Sequence, residues 1–173
     1  MGLPVPGVPN TSTGAEIAPL AGWIFRVDVG TTVTGAADAV TFSFQDAPLA
    51  TIRISQSSID GKKTPIAENL PVYQKAATSL VPPGSTDVVL LGQKENVYAI
   101  NEWTSVQYSF KYNYYGRALL TSITFLNYNK NEQWIVNATS PEADLEKTAR
   151  RESDILNSLH ETDVNFRLED APN

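Results

Sequence analysis

The sequence predicts a single α+β domain: an antiparallel β-sheet with helices packed on it. Three observations carry this expectation. Residues 105–139 read as three strands joined by short turns. Segments 66–80 and 140–160 repeat apolar residues at helical spacing on either side of that meander. A chain of 173 residues with 42% apolar and 18% charged residues can enclose one sizeable core.

Residues 1–21 are rich in Pro, Gly, Ser and Thr and poor in charge, the composition of a flexible tether. The folded domain is expected over 22–160, with an acidic tail over 161–173. Trp23, Phe25, Val27 and Val29 alternate with Ile24, Arg26 and Asp28, the period of a half-buried strand. Gly30 to Asp38 reads as a loop. Val40, Phe42 and Phe44, then Ala50, Ile52 and Ile54 beyond the turn residues Asp46-Ala47-Pro48, form an expected hairpin. The stretch SQSSIDGKKTP, residues 55–65, is a polar surface loop turning at Asp60-Gly61.

From Ile66 the spacing of Leu70, Tyr73, Ala76 or Ala77, and Leu80 is helical. The helix starts either at Thr64-Pro65 or with Pro71 in its first turn, where proline is tolerated, and stops at Pro82-Pro83-Gly84. Two short runs, 87–91 and 96–100, suggest a second hairpin turning through Gly92-Gln93-Lys94-Glu95.

The meander contains VQYSFKYNYYGRALL, residues 106–120, with Tyr108, Phe110, Tyr112, Tyr114 and Tyr115 close together. A two-residue loop at Gly116-Arg117 faces Tyr115 with Ala118, and hence Tyr114 with Leu119, Tyr112 with Thr121, Phe110 with Ile123 and Tyr108 with Phe125. That register gathers the apolar residues of both strands on one face. The other face carries Gln107, Ser109, Lys111 and Asn113 with Leu120, Ser122, Thr124 and Leu126; a slip by one residue would scatter the apolar set. A second turn at 129–132, with Tyr128 opposite Gln133, adds Val136 and Ala138 to the face of Phe125 and Ile123. The tyrosine ladder therefore reads as core, and only the turn residues remain for contact.

Ser140-Pro141-Glu142 reads as a helix start, with the Ser140 hydroxyl as cap, proline first and acids in the first turn. Leu145, Ala149, Ile155, Leu156 and Leu159 form its apolar stripe up to His160, interrupted by Glu152. In the tail, Val164, Phe166 and Leu168 alternate; the stretch is read as a frayed acidic terminus, with an added edge strand as the alternative.

Several chemistries are excluded or unsupported. A net charge of −6 argues against holding phosphate backbones, so nucleic acid is not an expected partner. The pairs Lys62-Lys63 and Arg150-Arg151 read as solvated surface charge. The chain has no cysteine and one histidine, His160. Thiolate metal sites and His-pair sites are thereby ruled out, and near a helix end His160 has a structural role as a cation at the dipole. There is no Gly-x-Ser-x-Gly turn, no Ser-x-x-Lys at a helix start, no phosphate-binding glycine loop and no calcium-loop spacing of the paired carboxylates. The triplets Asn10-Thr11-Ser12 and Asn137-Ala138-Thr139 are read as chance matches to the glycosylation pattern. No enzymatic activity, metal or cofactor is expected.

The run YSFKYNYYGRALLTSITFLNYNKNEQWIVNATSP leading into EADLEKTARRESDILNSLHE resembles the PsbP-like group, which includes the bacterial DcrB lipoproteins and a Ran-binding nuclear-transport factor. There a strand bearing an aromatic residue, a tight turn, two more strands and a helix ending in a motif like ILNSL recur in this order. The likeness covers about Trp23 to His160. It implies an α+β sandwich and mostly non-enzymatic work, with members docking on protein assemblies that include a photosystem, a small GTPase and secretion effectors. It transfers no functional residue.

The expected function is therefore a non-enzymatic accessory or partner-binding protein docking on a protein assembly. It is expected to be exported: periplasmic, secreted or lipid-anchored, with a cytoplasmic location as the alternative. The membrane enters only through a removed lipid anchor. Candidate contact residues are Trp103, Tyr115 and Arg117, since aromatic and arginine side chains are the usual interface anchors. The alternative is a small-molecule or lipid binder with a pocket between sheet and helix lined by Tyr108, Tyr112, Tyr114 and Trp134.

Overall fold

The computed structural model describes residues 12–13, 19–98, 103–129 and 132–161. Its centre is the predicted meander: β7 (Thr104–Tyr114), β8 (Arg117–Asn127) and β9 (Gln133–Ser140). β3 (Thr31–Gly35), β4 (Ala39–Phe44) and β5 (Ala47–Gln56) extend the sheet beyond β9, and β6 (Thr86–Glu95) closes it beyond β7. The seven-stranded sheet runs β3-β4-β5-β9-β8-β7-β6, antiparallel throughout. A small second sheet joins β1 (Ser12–Thr13) and β10 (His160–Glu161) to either side of β2 (Trp23–Phe25). The predicted α+β architecture, antiparallel sheet with helices upon it, is the one observed.

The helices lie on opposite faces. Helix α1 (Leu70–Ser79) carries Pro71 in its first turn, following a 3₁₀ turn at Ile66–Glu68, so both expected starts are partly realised. It buries Tyr73 and Ala77 against Tyr108, Phe110, Tyr112, Ile123 and Phe125. Helix α2 (Leu145–Ser158) buries Ile155 and Leu156 on the other face with Val40, Phe42, Ile52, Ile54, Trp134 and Val136. The sheet thus has an apolar region on each side, mainly from β7 and β8 under α1 and from β4, β5 and β9 under α2, and each face has its own core.

This two-sided burial explains the register corrections. At the β7–β8 turn the loop residues are Tyr115 and Gly116, with φ of 48° and 75°, and Tyr114 pairs with Arg117. Both central residues take positive φ, as a type I′ turn requires. Phe110 faces Thr121 and Tyr108 faces Ile123. The register differs from the expected one by two residues, so every side chain keeps its predicted face.

The β8–β9 pairing differs by one, with the opposite consequence. Phe125 faces Ile135 and Thr124 faces Val136, which moves Val136 and Ala138 to the α2 side. The cause is Tyr128, which leaves the strand to stack on Trp134 with ring centroids 3.9 Å apart. β8 accordingly ends at Asn127, which pairs with Gln133.

Other expectations also change. Residues 31–35, expected in a loop, form β3, a Thr-rich strand that among the described residues pairs only with β4; β-branched residues suit an edge that needs little apolar alternation. The expected hairpin at 87–100 is instead one long strand that absorbs Gly92 at a bulge and turns at Asn96, φ 52°. Residues 99–102 lie outside the described residues, as do 162–173, including the alternating Val164, Phe166 and Leu168. The strand expected over 23–29 is β2 and stops at Phe25, with Val27 buried beyond it and Val29 exposed. Leu20, placed in the tether by composition, is fully buried in the α2-side core. Ser140 ends β9 and does not cap α2, and its hydroxyl is buried without a hydrogen-bond partner.

Candidate functional site

Three regions of the described residues stand out from ordinary packing: the β6 edge, the β7–β8 tip, and a cleft beside α2.

Strand β6 is exposed along its entire length. Its run Val88-Val89-Leu90-Leu91 is between 40% and 55% exposed, and among the described residues one side of the strand has no neighbour in the sheet. Soluble proteins usually blunt such edges with charge or by covering them. Two bulges and Asp87, Lys94 and Glu95 at the ends are the only such devices here. Asp87 accepts a hydrogen bond from Asn113 Nδ2 at 3.1 Å, which ties that end of β6 to β7.

The predicted contact residues are not brought together. Tyr115 stands at the hairpin tip, 87% exposed, with its ring edge-on to Tyr114 at 4.5 Å. Arg117 opens β8 beside it and is exposed. Since Thr86 pairs with Asn113, this tip flanks the start of the β6 edge. Trp103 lies elsewhere, half-buried and edge-on to Trp23 at 5.8 Å and Trp134 at 6.1 Å. Together with Tyr128, these three tryptophans fasten β2 to the main sheet.

The expected aromatic pocket does not exist as a unit. Tyr108 and Tyr112 face α1, whereas Trp134 lies in the core on the other side. The Tyr108 hydroxyl donates to the Leu70 carbonyl at 2.9 Å, which satisfies it within the core.

A cleft of about 690 Å³ does exist on the α2 side. Helix α2 packs over β9, β5 and β2, and no helix among the described residues covers the mainly polar faces of β7 and β8 beside it. The floor is polar and hydrogen-bonded. Gln107 Nε2 donates to Thr124 Oγ1 at 3.0 Å. The Tyr98 hydroxyl donates to Glu152 Oε1 at 2.7 Å, and Ser122 donates to Oε2 at 3.3 Å. Burial raises the pKa of Glu152 to about 7, against the opposing effect of these two donors. Burial also pushes the Tyr98 phenol well up, and the neighbouring carboxylate adds to the effect.

The sequence marked Glu152 only as an interruption of an apolar stripe. Its spacing from Leu145, Ala149, Ile155 and Leu159 places it on the same helical face. A carboxyl at such a position requires hydrogen-bond donors from a facing element, and that was the available signal.

Arg151, read from the sequence as solvated, is buried as well. It bridges Asp28 at 3.2 Å and Asp46 at 2.8 Å, with its guanidinium 4.6 Å from the Phe44 ring centre. Burial works to raise the pKa of Asp28, but hydrogen bonds and charge from Arg150 and Arg151 outweigh it and hold the value low. The Arg151 hydrogen bond chiefly brings Asp46 to about 2. This cluster fastens α2 to the loops flanking β3 and β4. His160 is exposed just beyond the helix, with Nδ1 3.2 Å from the Ser158 carbonyl.

Sheet, helices and their placement define the class: an α+β sandwich of the PsbP-like kind. No family profile matches the chain, and no curated protein is recognisably similar to it. Among solved structures it is similar to cyanobacterial PsbP (CyanoP) from Synechocystis sp. PCC 6803, with TM-score 0.55 and 13% identity over 81% of this chain and 86% of that one. It is similar to the Ran-binding protein Mog1p of Saccharomyces cerevisiae, with TM-score 0.54 and 11% identity over 85% and 94%. A Bacteroides thetaiotaomicron structure matches with TM-score 0.56 and 12% identity over 95% of this chain but 49% of its own, so the chain spans about half of that protein. At these identities the likeness concerns the fold.

Proposed function

We propose that the protein is a non-enzymatic accessory protein that docks on a protein assembly by adding an extended segment of its partner to the β6 edge. The observation that carries this is the run Val88 to Leu91, four aliphatic residues on a ten-residue strand exposed throughout. An open edge supplies main-chain donors and acceptors for a further strand, and the alternating side chains supply selectivity. Tyr115 and Arg117 flank one end of this edge and extend the surface. Trp103 has no part in it. Mog1p, on a similar fold, is by its name a Ran-binding protein, which supports a partner-docking use of this architecture.

The reading also places the protein outside the cytoplasm, supported by the tether-like composition of residues 1–21. The resemblance to DcrB lipoproteins drawn from the sequence belongs to the same proposal. Fractionation of the source cells tests the location.

A photo-crosslinking residue at Val89, with Val72 on exposed α1 as control, tests the docking. Expected is a discrete heterologous adduct from Val89 alone. The pair Val88→Lys and Val89→Glu should abolish it with little change in melting temperature. Identical adducts at both positions, an adduct of twice the chain mass, or a complex that survives the double substitution would overturn the reading.

A further inference from the structure

The docking edge shares Leu91 with the cleft beside α2 but uses none of the three buried polar side chains that converge there. Ser140, Thr148 and Glu152 are 1%, 3% and 5% exposed, and all line the 690 Å³ space. Glu152 has both oxygens engaged, by Tyr98 and Ser122. The hydroxyls of Ser140 and Thr148 have no partner. Buried hydroxyls are ordinarily paired, and a threonine inside a helix commonly bonds the carbonyl one turn back. Thr148 does not, and its side chain lines the cleft.

The walls above this floor are largely apolar, with Lys94 and Glu95, of opposite charge, also on the lining. Leu120 and Leu91 come from the sheet, and Leu145 and Ala149 from α2. Leu145 is 46% exposed although it belongs to the apolar stripe of the helix, and Leu91 is 55% exposed. Apolar walls around a few convergent polar groups are the usual make-up of a small-molecule site, and the volume is within the usual range.

We infer that this cleft binds a neutral amphipathic molecule, its hydroxyl or carboxamide head on Ser140 and Thr148 and its aliphatic or ring body between Leu120 and Leu145. A hydroxyl or amide head can both give and accept a hydrogen bond, which matches two free hydroxyls. An anionic head would be set beside the carboxyl of Glu152, and the oxygens of that carboxyl are already occupied by internal donors. The preference for a neutral head follows. This site lies on the opposite face of the sheet from most of the tyrosine ladder.

The test uses the whole chain and the neutral fluorophore N-phenyl-1-naphthylamine, with 1-octanol and octanoate as competitors. Expected are saturable one-to-one binding of the fluorophore, displacement by octanol, and displacement by octanoate weaker by about tenfold or more. Thr148→Val removes one unpaired hydroxyl at constant shape. It should weaken octanol by about tenfold, the scale of one hydrogen bond, while the melting temperature holds or rises. Ala149→Trp, which fills the cleft, should abolish fluorophore binding. Absence of saturable binding, equal competition by octanoate, or unchanged octanol affinity in Thr148→Val would each overturn the inference. None of these variants touches the β6 edge, so failure here and failure of the docking proposal are separable.

Discussion

Tyr98 donates its hydroxyl to Glu152 Oε1 at 2.7 Å across 54 positions of sequence, and the two side chains are 4% and 5% exposed. The bond joins the loop after β6 to the middle of α2. It retains a carboxyl in a place where ionisation is costly, and the first prediction follows from that cost.

The folded pKa of Glu152, about 7, lies above its ordinary value of 4.5. The folded state therefore holds the proton more tightly, and the stabilisation is complete below pH 4.5 and lost as pH rises through 7. The loss amounts to about 3 kcal/mol at most, at 1.36 kcal/mol per unit. Glu152→Gln keeps an acceptor for Tyr98 and cannot ionise. It should melt about 5 °C or more above the parent at pH 8 and show a flatter stability profile between pH 4.5 and 7 in denaturant titrations. An unchanged slope would contradict the assignment.

Arg151 sits between Asp28 and Asp46 with 7% of its side chain exposed. Arg151→Met should destabilise by about 3 kcal/mol, because Asp28, at 12% exposure, loses a partner inside the protein. Arg151→Lys should recover only part, since an ammonium cannot reproduce the guanidinium fork. The acid limb supplies a second readout. The low pKa of Asp46 means stability present above 3.8 and lost as pH falls towards 2. Arg151→Met should flatten that limb, as followed by urea unfolding at stepped pH.

At the hairpin tip, Tyr115 takes φ 48° with its ring almost wholly in solvent. Asparagine occupies this conformation more readily ahead of glycine in a type I′ turn. Tyr115→Asn should stabilise by about 0.5 kcal/mol, whereas Gly116→Ala should cost about 1 kcal/mol. Chemical denaturation of the two variants measures the opposite signs directly.

Trp103 contacts Trp23 and Trp134 edge-on. Its replacement by alanine should cost about 2 kcal/mol or more through lost packing and change the tryptophan fluorescence of the folded state. A stable Trp103→Ala protein with an unaltered spectrum would mean that the ring contributes little to this joint.

Much of the scaffold was legible because it is governed by local periodicity. Tyr108, Phe110 and Tyr112 alternate with polar residues, Gly116 marks a turn, and Pro71 and Pro82 bracket a helix. The β7–β8 register missed by two residues without consequence, because an even shift preserves the faces. The β8–β9 register missed by one and moved Val136 and Ala138 between layers. Nothing local announces that Tyr128 leaves its strand to stack on Trp134, since that preference depends on a cluster assembled from distant segments. Arg151 looked solvated for the same reason: Asp28 and Asp46 are more than one hundred positions away.

By itself, the sequence determined the α+β class, the central meander, the two helices and the burial of the tyrosine ladder. These follow from the two- and 3.6-residue periods that each segment carries alone. Only the tertiary structure decided that α1 and α2 take opposite faces, that β6 is one long strand at the edge of the sheet among the described residues, and that Ser140, Thr148 and Glu152 meet in one cleft. Those features depend on which elements pair and how far each helix extends across the sheet. Such relations are set by long-range contacts, and no window of sequence contains them.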